Sequence, residues 1–107
     1  MGNFHDTSVN IWLEDGHILH AECGDGAGGA PESTLDLNYY IGNNDGSFEW
    51  GGENFSSSAS EISLQMEGDG QPILRALLNP IDGDPVPADV NLAERIGNDH
   101  GTLIFVA

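Results

Sequence analysis

The sequence predicts a mostly β fold of short strands, hairpins and single helical turns, organised as two similar halves of one domain (1–107). Three observations lead to this prediction. Fifteen glycines and five prolines among 107 residues are typical of many tight turns. Apolar and polar residues alternate in segments such as 62–66, as they do in strands buried on one face. Finally, a unit of roughly fifty residues occurs twice, and a chain of this length can bury one core.

Two offsets relate the copies of this unit. Segment 41–50 aligns with 96–105 at an offset of 55 residues, whereas segment 3–4 aligns with 54–55 at an offset of 51. The difference places an insertion near 67–70. Neither copy contains enough apolar residues for a core of its own, so we expect the two halves to pack together and to exchange strands.

Each repeat, about 1–51 and about 52–107, predicts the same series of elements. A strand, a Gly turn and a return strand form the pattern of a hairpin. A Gly/Pro/Asp-rich loop then leads to a helical turn and a second hairpin, in which Gly46 tolerates the positive φ of the turn. The predicted elements are the strands 9–13 and 62–66, the return strands at 18–19 and 73–74, the helical turns 37–41 and 92–96, and the last strands 47–50 and 102–105.

The charge of the chain limits its partners. Lys and Arg total 2 against 18 Asp and Glu, which gives a formal net charge of -16. This acidity argues against nucleic acids and anionic membrane surfaces, because both are negatively charged. No apolar run approaches the roughly 20 residues that a membrane span needs, so no membrane insertion is expected. Neutral ligands, cations and basic proteins remain as partners.

The cellular compartment is predicted from the first residues and the cysteine count. Segment 1–6 has neither a basic start nor an apolar stretch, so no signal peptide is expected. Cys23 is the single cysteine, and it can form no intrachain disulfide. Both observations favour a cytoplasmic protein, with secretion by an unrecognised route left open.

Several short motifs follow one another in a fixed order along the chain. They are Phe4-His5-Asp6-Thr7, Leu35-Asp36-Leu37-Asn38, Ile41-Gly42-Asn43-Asn44-Asp45-Gly46-Ser47-Phe48-Glu49-Trp50, Asn54-Phe55, Val90-Asn91-Leu92, Ile96-Gly97-Asn98 and Gly101-Thr102-Leu103. No single motif is specific, but the ordered set, with its duplication, resembles the cyanovirin-N homology family of lectins. The resemblance implies a cyanovirin-N-like, pseudo-symmetric fold with no enzymatic activity and no cofactor.

The resemblance also implies a ligand and an oligomeric state. Family members bind mannose-containing oligosaccharides or glycoproteins, with selectivity for α1,2-linked mannose of high-mannose glycans. The two disulfide positions of the prototype hold Ser8 with Cys23 and Ala59 with Leu78 here, so the chain resembles the disulfide-free fungal-type members. Segment 51–52 is Gly-Gly where the prototype has a Pro-containing hinge associated with domain swapping, and a monomer is therefore expected.

By carry-over from the family, each half has a candidate sugar site. The favoured second-half site would use Asn43, Asp45, Glu53, Asn54, Ser57, Ser58, Asn79 and Asp82. The first-half site would use Asn3, Asp6, Thr7, Asp25, Asn98, Asp99 and His100. It is expected to be weaker because His100 replaces the turn aspartate and because Gly24 and Gly26 replace side chains that would contact sugar. Amides and carboxylates suit hydroxyls, which both donate and accept.

Other motifs are interpreted as structural. Segment 24–29 fits G-x-G-x-x-G, but Pro31 follows it instead of a long helix, which favours a flexible loop. His17 and His20 lack a third metal ligand and are interpreted as surface histidines of a hairpin, so no metal site is expected. The large aromatics Trp12, Trp50 and Phe105 are interpreted as core or partly buried packing.

Two classes of function therefore remain open. The first is a mannose-binding lectin. The second is an acidic interaction or cation-binding protein whose lectin sites have decayed, and in which the motif 43–46 merely forms a turn.

Overall fold

The computed structural model describes residues 2–68 and 70–106 and confirms a mostly β fold in which one series of elements occurs twice. The first series is η1 (Phe4–Thr7), β1 (Ser8–Glu14), β2 (Ile18–Cys23), β3 (Glu32–Asp36), η2 (Leu37–Tyr39), β4 (Ile41–Asn44) and β5 (Ser47–Trp50), where η marks a 3₁₀ turn. The second is η3 (Phe55–Ser58), β6 (Ala59–Glu67), β7 (Gln71–Leu78), β8 (Val86–Asn91), η4 (Leu92–Glu94), β9 (Ile96–Asp99) and β10 (Thr102–Phe105). Asp69, in the predicted insertion, lies outside the described residues.

The strands form two antiparallel sheets of three strands and two separate hairpins. One sheet has the order β1-β2-β3 and the other β6-β7-β8, while β4 pairs with β5 and β9 with β10. The four 3₁₀ turns are three or four residues long. Within the described residues, no helix is long and apolar enough to span a membrane.

The two repeats exchange their C-terminal hairpins, as the apolar content predicted. Hairpin β4–β5 of the first repeat packs against η3 and β8 of the second, and hairpin β9–β10 packs against η1 and β3 of the first. One link is a hydrogen bond of 3.0 Å from the Leu103 backbone N–H to the Ser33 hydroxyl. Each half of the molecule is consequently built from both repeats.

The core lies between these elements and is duplicated like the sequence. Phe4 and Phe55 begin equivalent 3₁₀ turns and are both fully buried. Burying such a side chain contributes about 1.5–3 kcal/mol. The remaining buried members of the cluster are Leu19, Ala21, Cys23, Leu37, Ile41, Leu74, Leu92, Ile96 and Leu103.

A β-bulge in each long hairpin alters the predicted alternation. The register shifts between Val9 and Trp12 in β1 and between Ser60 and Ser63 in β6. The prediction that Val9 shares the buried face of Ile11 was wrong: the bulge reverses the alternation, and Val9 is 57% exposed. Met66, at the far end of β6, is also exposed although the pattern placed it with Ile62 and Leu64.

Candidate functional site

The candidate sites are built around two equivalent hairpin turns. Asp45 and Gly46 have φ values of 51° and 90°, and His100 and Gly101 have 52° and 102°. Positive φ at both central residues is typical of a type I′ turn, which matches the twist of the flanking strands. A Cβ on Gly46 would lie 2.6 Å from Val86 Cγ2, so glycine is also required by this close approach.

In the second-half site, Asn43 joins the turn to the other repeat. Its Nδ2 donates to the Ser58 hydroxyl at 2.8 Å and to the Asn79 carbonyl at 2.9 Å. Its Oδ1 accepts the Gly46 backbone N–H at 2.8 Å. One amide thus fixes the turn, the end of η3 and the end of β7 relative to one another.

Asn98 makes the same contacts in the first-half site. Its Nδ2 donates to the Thr7 hydroxyl at 2.8 Å and to the Gly24 carbonyl at 2.9 Å, and its Oδ1 accepts the Gly101 N–H at 2.8 Å. Thr7 and Gly24 belong to the first repeat, whereas Asn98 belongs to the second. The structure therefore brings the predicted site residues Thr7 and Asn98 together at the turn that contains His100.

The residue at the tip of the turn differs between the sites. The Asp45 carboxylate accepts the Ile81 backbone N–H at 2.9 Å through Oδ1. In the equivalent place, the His100 imidazole contacts Asp99 Oδ1 at 2.9 Å and its side chain is 86% exposed. Asp45 is thus held against the facing loop, while the His100 side chain makes its one hydrogen bond within the described residues with its chain neighbour Asp99.

A cleft of about 290 Å³ opens at the first-half site. It is lined by Thr7, Gly24, Asp25, Gly26, Asn98, Asp99 and His100. The backbone N–H groups of Ala27 and Gly29 donate to Asp25 Oδ1 at 2.8 and 3.0 Å and hold the pKa of Asp25 below its ordinary value. The cleft therefore contains a fixed carboxylate that accepts hydrogen bonds.

The other predicted site residues lie at varying distances from these turns. Asn54 precedes η3 without a capping bond from its side chain, and its carbonyl accepts the Ser57 hydroxyl at 2.8 Å, so both belong to the segment that faces Asn43. Glu53 and Asp82 are exposed, and their side chains make no hydrogen bond with the described residues. In the first half, Asn3 and Asp6 do not line the cleft: Asn3 lines a different pocket, and exposed Asp6 contacts His5 at 3.3 Å.

Sequence reasoning missed a charged stack on the outer face of β1-β2-β3. Trp12 is 47% exposed and stacks on His20, with ring centroids 4.0 Å apart, a contact that the sequence did not predict. His20 Nε2 contacts Glu14 at 2.6 Å and Nδ1 contacts Glu32 at 3.3 Å. The hydrogen bond with Glu14, against some desolvation, raises the pKa of His20. Trp12 and Glu14 are two residues apart, so the sequence already indicated that they share one face of the strand. It did not indicate which face, because that depends on the bulge between Val9 and Trp12.

The equivalent face of the second sheet carries Arg75. Its guanidinium donates to Glu67 at 2.7 Å and to Asp89 at 3.1 Å. Both outer faces therefore place a nitrogen-bearing side chain, His20 or Arg75, between two carboxylates. Among residues 2–68 and 70–106, no group of three or more His, Cys, Asp or Glu side chains has the arrangement of a metal site.

Comparison with known proteins places the chain in a family. The family model of the CVNH domain matches residues 4–104. The chain belongs to the CVNH family. A cyanovirin-N homolog from Neurospora crassa is 38% identical over 104 residues, which cover 92% of this chain and 94% of the homolog. The NMR structure of GzCVNH from Gibberella zeae is 75% identical over 100% of both chains, with a TM-score of 0.95.

Two further CVNH structures are complexes with carbohydrate. Microvirin, solved with mannobiose, is 30% identical, with a TM-score of 0.85 over 98% of this chain and 99% of that one. A MoCVNH3 variant, solved with (N-GlcNAc)4, is 28% identical, with a TM-score of 0.85 over 97% of each chain. The chain thus has the CVNH lectin fold, and members of this family are lectins and not enzymes.

Proposed function

We propose that this protein is a lectin that binds mannose, with preference for α1,2-linked mannose at the ends of high-mannose glycans. The observation that supports this most is the pair of equivalent turns, each fixed by an asparagine amide against the opposite repeat. Polar groups that are already held in place lose less conformational entropy when a ligand binds. This matters for a weakly binding sugar, because its few contacts cannot compensate for a large entropy loss. The mannobiose complex of microvirin supports the choice of sugar.

The second-half site is proposed to bind more tightly than the first. Asp45 presents an ionised carboxylate that the Ile81 N–H already holds in place, and its second oxygen makes no hydrogen bond with the described residues. A sugar hydroxyl that donates to this oxygen forms a charge-assisted hydrogen bond, which is stronger than a neutral one. His100 offers an exposed imidazole at the same position of the first-half site.

The protein is proposed to act as a monomer. The junction between the repeats folds back on β4: Gly51 N–H donates to the Tyr40 carbonyl at 2.8 Å, and Gly52 lies so close to Gly42 that a Cβ on Gly52 would be 2.8 Å from Gly42 Cα. A junction held in this way opposes the extended hinge that a swapped dimer needs. Sedimentation at several protein concentrations tests this.

The test of the function is a titration of the ¹⁵N-labelled full chain with three disaccharides. We expect the amide signals of the turns 45–46 and 100–101 to shift with α1,2-mannobiose and much less with its α1,3- and α1,6-linked isomers. Equal shifts with all three isomers would overturn the linkage preference alone. Titration with (GlcNAc)4 is the matched comparison, because a CVNH variant has been solved with that ligand. If no sugar shifts any amide signal, the alternative function, an acidic interaction or cation-binding protein, is favoured.

A further inference from the structure

A separate pocket of about 270 Å³ lies where the start of β7 meets η4 and the segment before η1. It is lined by Asn3, Gln71, Asn91, Ala93 and Glu94 and is called here the Asn3–Glu94 pocket. It shares no lining residue with the 290 Å³ cleft of the first-half site. Its volume is slightly below the range of about 300–1,000 Å³ that drug-sized ligands occupy, so a smaller molecule fits it.

The pocket coincides with a difference between the two repeats. In one half, Asn38 Nδ2 donates to the Ser56 hydroxyl at 2.7 Å, and the Ser56 N–H donates to Asn38 Oδ1 at 3.2 Å. At the offsets of 55 and 51 residues, the equivalent positions are Ala93 and His5. The methyl group of Ala93 can make neither bond and occupies less space than an asparagine amide. Ala93 lines the pocket with this shorter side chain.

The two amides of the pocket wall are fixed by hydrogen bonds. Gln71 Nε2 donates to His5 Nε2 at 3.2 Å, and Asn91 Nδ2 donates to Gln71 Oε1 at 2.9 Å. Asn91 Oδ1 accepts the Ala93 N–H at 2.9 Å. Each amide oxygen thus accepts one bond and keeps a second lone pair, since a carbonyl oxygen has two. These oxygens are rigid acceptors.

Two more acceptors are less engaged. The Asn3 side chain makes no hydrogen bond with the described residues, although its backbone N–H donates to the Ala93 carbonyl at 2.8 Å. Glu94 accepts the Trp50 indole N–H through Oε1 at 3.2 Å, and its Oε2 makes no hydrogen bond with the described residues. The pocket therefore combines a free amide, a carboxylate oxygen and two rigid amide oxygens.

The charge decides which kind of small ligand suits these acceptors. Glu94 and the net charge of -16 repel anions, and a neutral alcohol would gain hydrogen bonds without electrostatic attraction. An ammonium group has three N–H donors and gains both. We propose that the Asn3–Glu94 pocket binds a small primary ammonium compound whose three N–H groups donate to Asn3, to Glu94 and to one amide oxygen of the pocket wall. This site is additional to the proposed sugar sites.

The test compares 4-amino-1-butanol with 1,4-butanediol, which differ by one ammonium in place of one hydroxyl. The ¹⁵N-labelled full chain is titrated at pH 7 and about 150 mM salt, where attraction to the general surface charge is largely screened. We expect the side-chain amide signals of Asn3, Gln71 and Asn91 to shift saturably with the amino alcohol. The diol should bind about tenfold more weakly or not at all, since charge-assisted hydrogen bonds are the stronger ones. Equal shifts with both compounds, or none with either, overturn the proposal.

Two variants separate this pocket from surface attraction and from sugar binding. Ala93→Asn introduces the side chain that the other repeat has at Asn38 and should remove the response by filling the space. Glu94→Gln keeps the size of the exposed side chain and removes its charge, so it should weaken the binding of 4-amino-1-butanol about tenfold. If Ala93→Asn misfolds, Glu94→Gln alone tests the proposal. A response unchanged in Glu94→Gln overturns the proposal. Loss of ammonium binding with retained α1,2-mannobiose binding in these variants shows that the two sites are separate.

Discussion

Ser8 and Cys23 lie directly opposite each other across β1 and β2, and Ala59 and Leu78 form the equivalent pair across β6 and β7. Cys23 is fully buried, and the Ser8 hydroxyl is buried without a hydrogen-bond partner in the described residues. The two disulfide positions that the family resemblance assigned are thus facing pairs without a covalent bond. Ala59 and Leu78 are both apolar, whereas Ser8 places an unpaired hydroxyl opposite the Cys23 thiol.

This pairing predicts that Ser8→Cys forms a disulfide with Cys23 under oxidising conditions. A closed loop of about 15 residues stabilises a protein by about 3 kcal/mol in the chain-entropy model. We expect the Tm of oxidised Ser8→Cys to exceed that of the parent and to fall when reductant is added. Ser8→Ala is the matched control: it removes the unpaired hydroxyl and should leave Tm unchanged or slightly higher in both conditions. If the Tm of Ser8→Cys is the same with and without reductant, the two cysteines do not form a disulfide.

The two turns predict unequal effects on sugar binding. Asp45→Ala removes the charged acceptor, and the loss of one charge-assisted hydrogen bond costs about 1.5–3 kcal/mol, or about a ten- to hundredfold rise in Kd. His100→Ala should change the affinity much less. Titration of both variants with α1,2-mannobiose, followed by amide shifts, measures this. If Asp45→Ala binds like the parent and His100→Ala does not bind, the stronger site has been assigned to the wrong half.

The asparagine amides predict an effect on stability. Asn98→Ala removes three hydrogen bonds to Thr7, Gly24 and Gly101, and should lower the free energy of unfolding by about 2–3 kcal/mol, at about 1 kcal/mol for each. Urea denaturation measures the change. Asn44→Ala is the control, because Asn44 is exposed and its side chain makes a single hydrogen bond with the described residues, to Glu49 at 3.3 Å. Its effect should stay within about 0.5 kcal/mol. Equal losses in both variants would contradict the role assigned to Asn98.

The hydrogen bond between His20 and Glu14 predicts a pH dependence of stability. The pKa of His20 is raised above 6.5 in the folded protein, chiefly by the hydrogen bond with Glu14. Its contribution is therefore fully present below the unfolded-state pKa and is lost as pH rises through the folded-state pKa. Urea denaturation from pH 6 to pH 9 should show this loss in the parent and not in His20→Gln. His100→Gln, with an exposed ring, should behave like the parent.

The affinity for mannose should depend little on salt. The ligand is neutral, so no counterions are released when it binds, and we expect a Kd in the roughly micromolar-to-millimolar range. Repeating the titration at low and high ionic strength measures the dependence. A steep loss of affinity with salt would indicate a charged ligand instead. Binding of 4-amino-1-butanol serves as the contrasting case, because it should weaken as salt rises.

The repeat made much of the fold predictable from sequence. Both long hairpins and the Asp45-Gly46 turn lie where the alternation and the turn residues placed them. The helical turns begin at Leu37 and Leu92 as predicted but are shorter than 37–41 and 92–96, because Ile41 and Ile96 begin strands. Hairpin exchange also followed from the apolar content of each repeat. The bulges did not follow, because residues such as Asn10 and Glu61 give no sign that they adopt φ near 51° within a strand. The exposure of Val9 and the stacking of Trp12 on His20 both depend on that register.

The candidate sites were predictable as clusters and not in their internal bonding. The sequence pointed to Asn43 and Asn98 as sugar contacts, whereas the structure shows both amides engaged with the opposite repeat. Asn3 was placed in the first-half site by carry-over, yet it lines a pocket with Gln71 and Asn91. The hydrogen-bond partners of such an amide cannot be predicted from the sequence around it, because they come from segments distant in sequence.

The hairpin exchange sets the smallest unit that can bind sugar. Residues 1–51 alone would contain Asn43 without Ser58 and Asn79, and Thr7 without Asn98. A chain cut after Gly51 would give two fragments, each with half of both sites and a hairpin without its host sheet. Neither fragment should recognise a ligand by itself, and mixing the two should restore both sites at once. Two copies of one repeat could complete each other in the same way, so a gene for a single repeat would encode a functional protein only as a pair of chains.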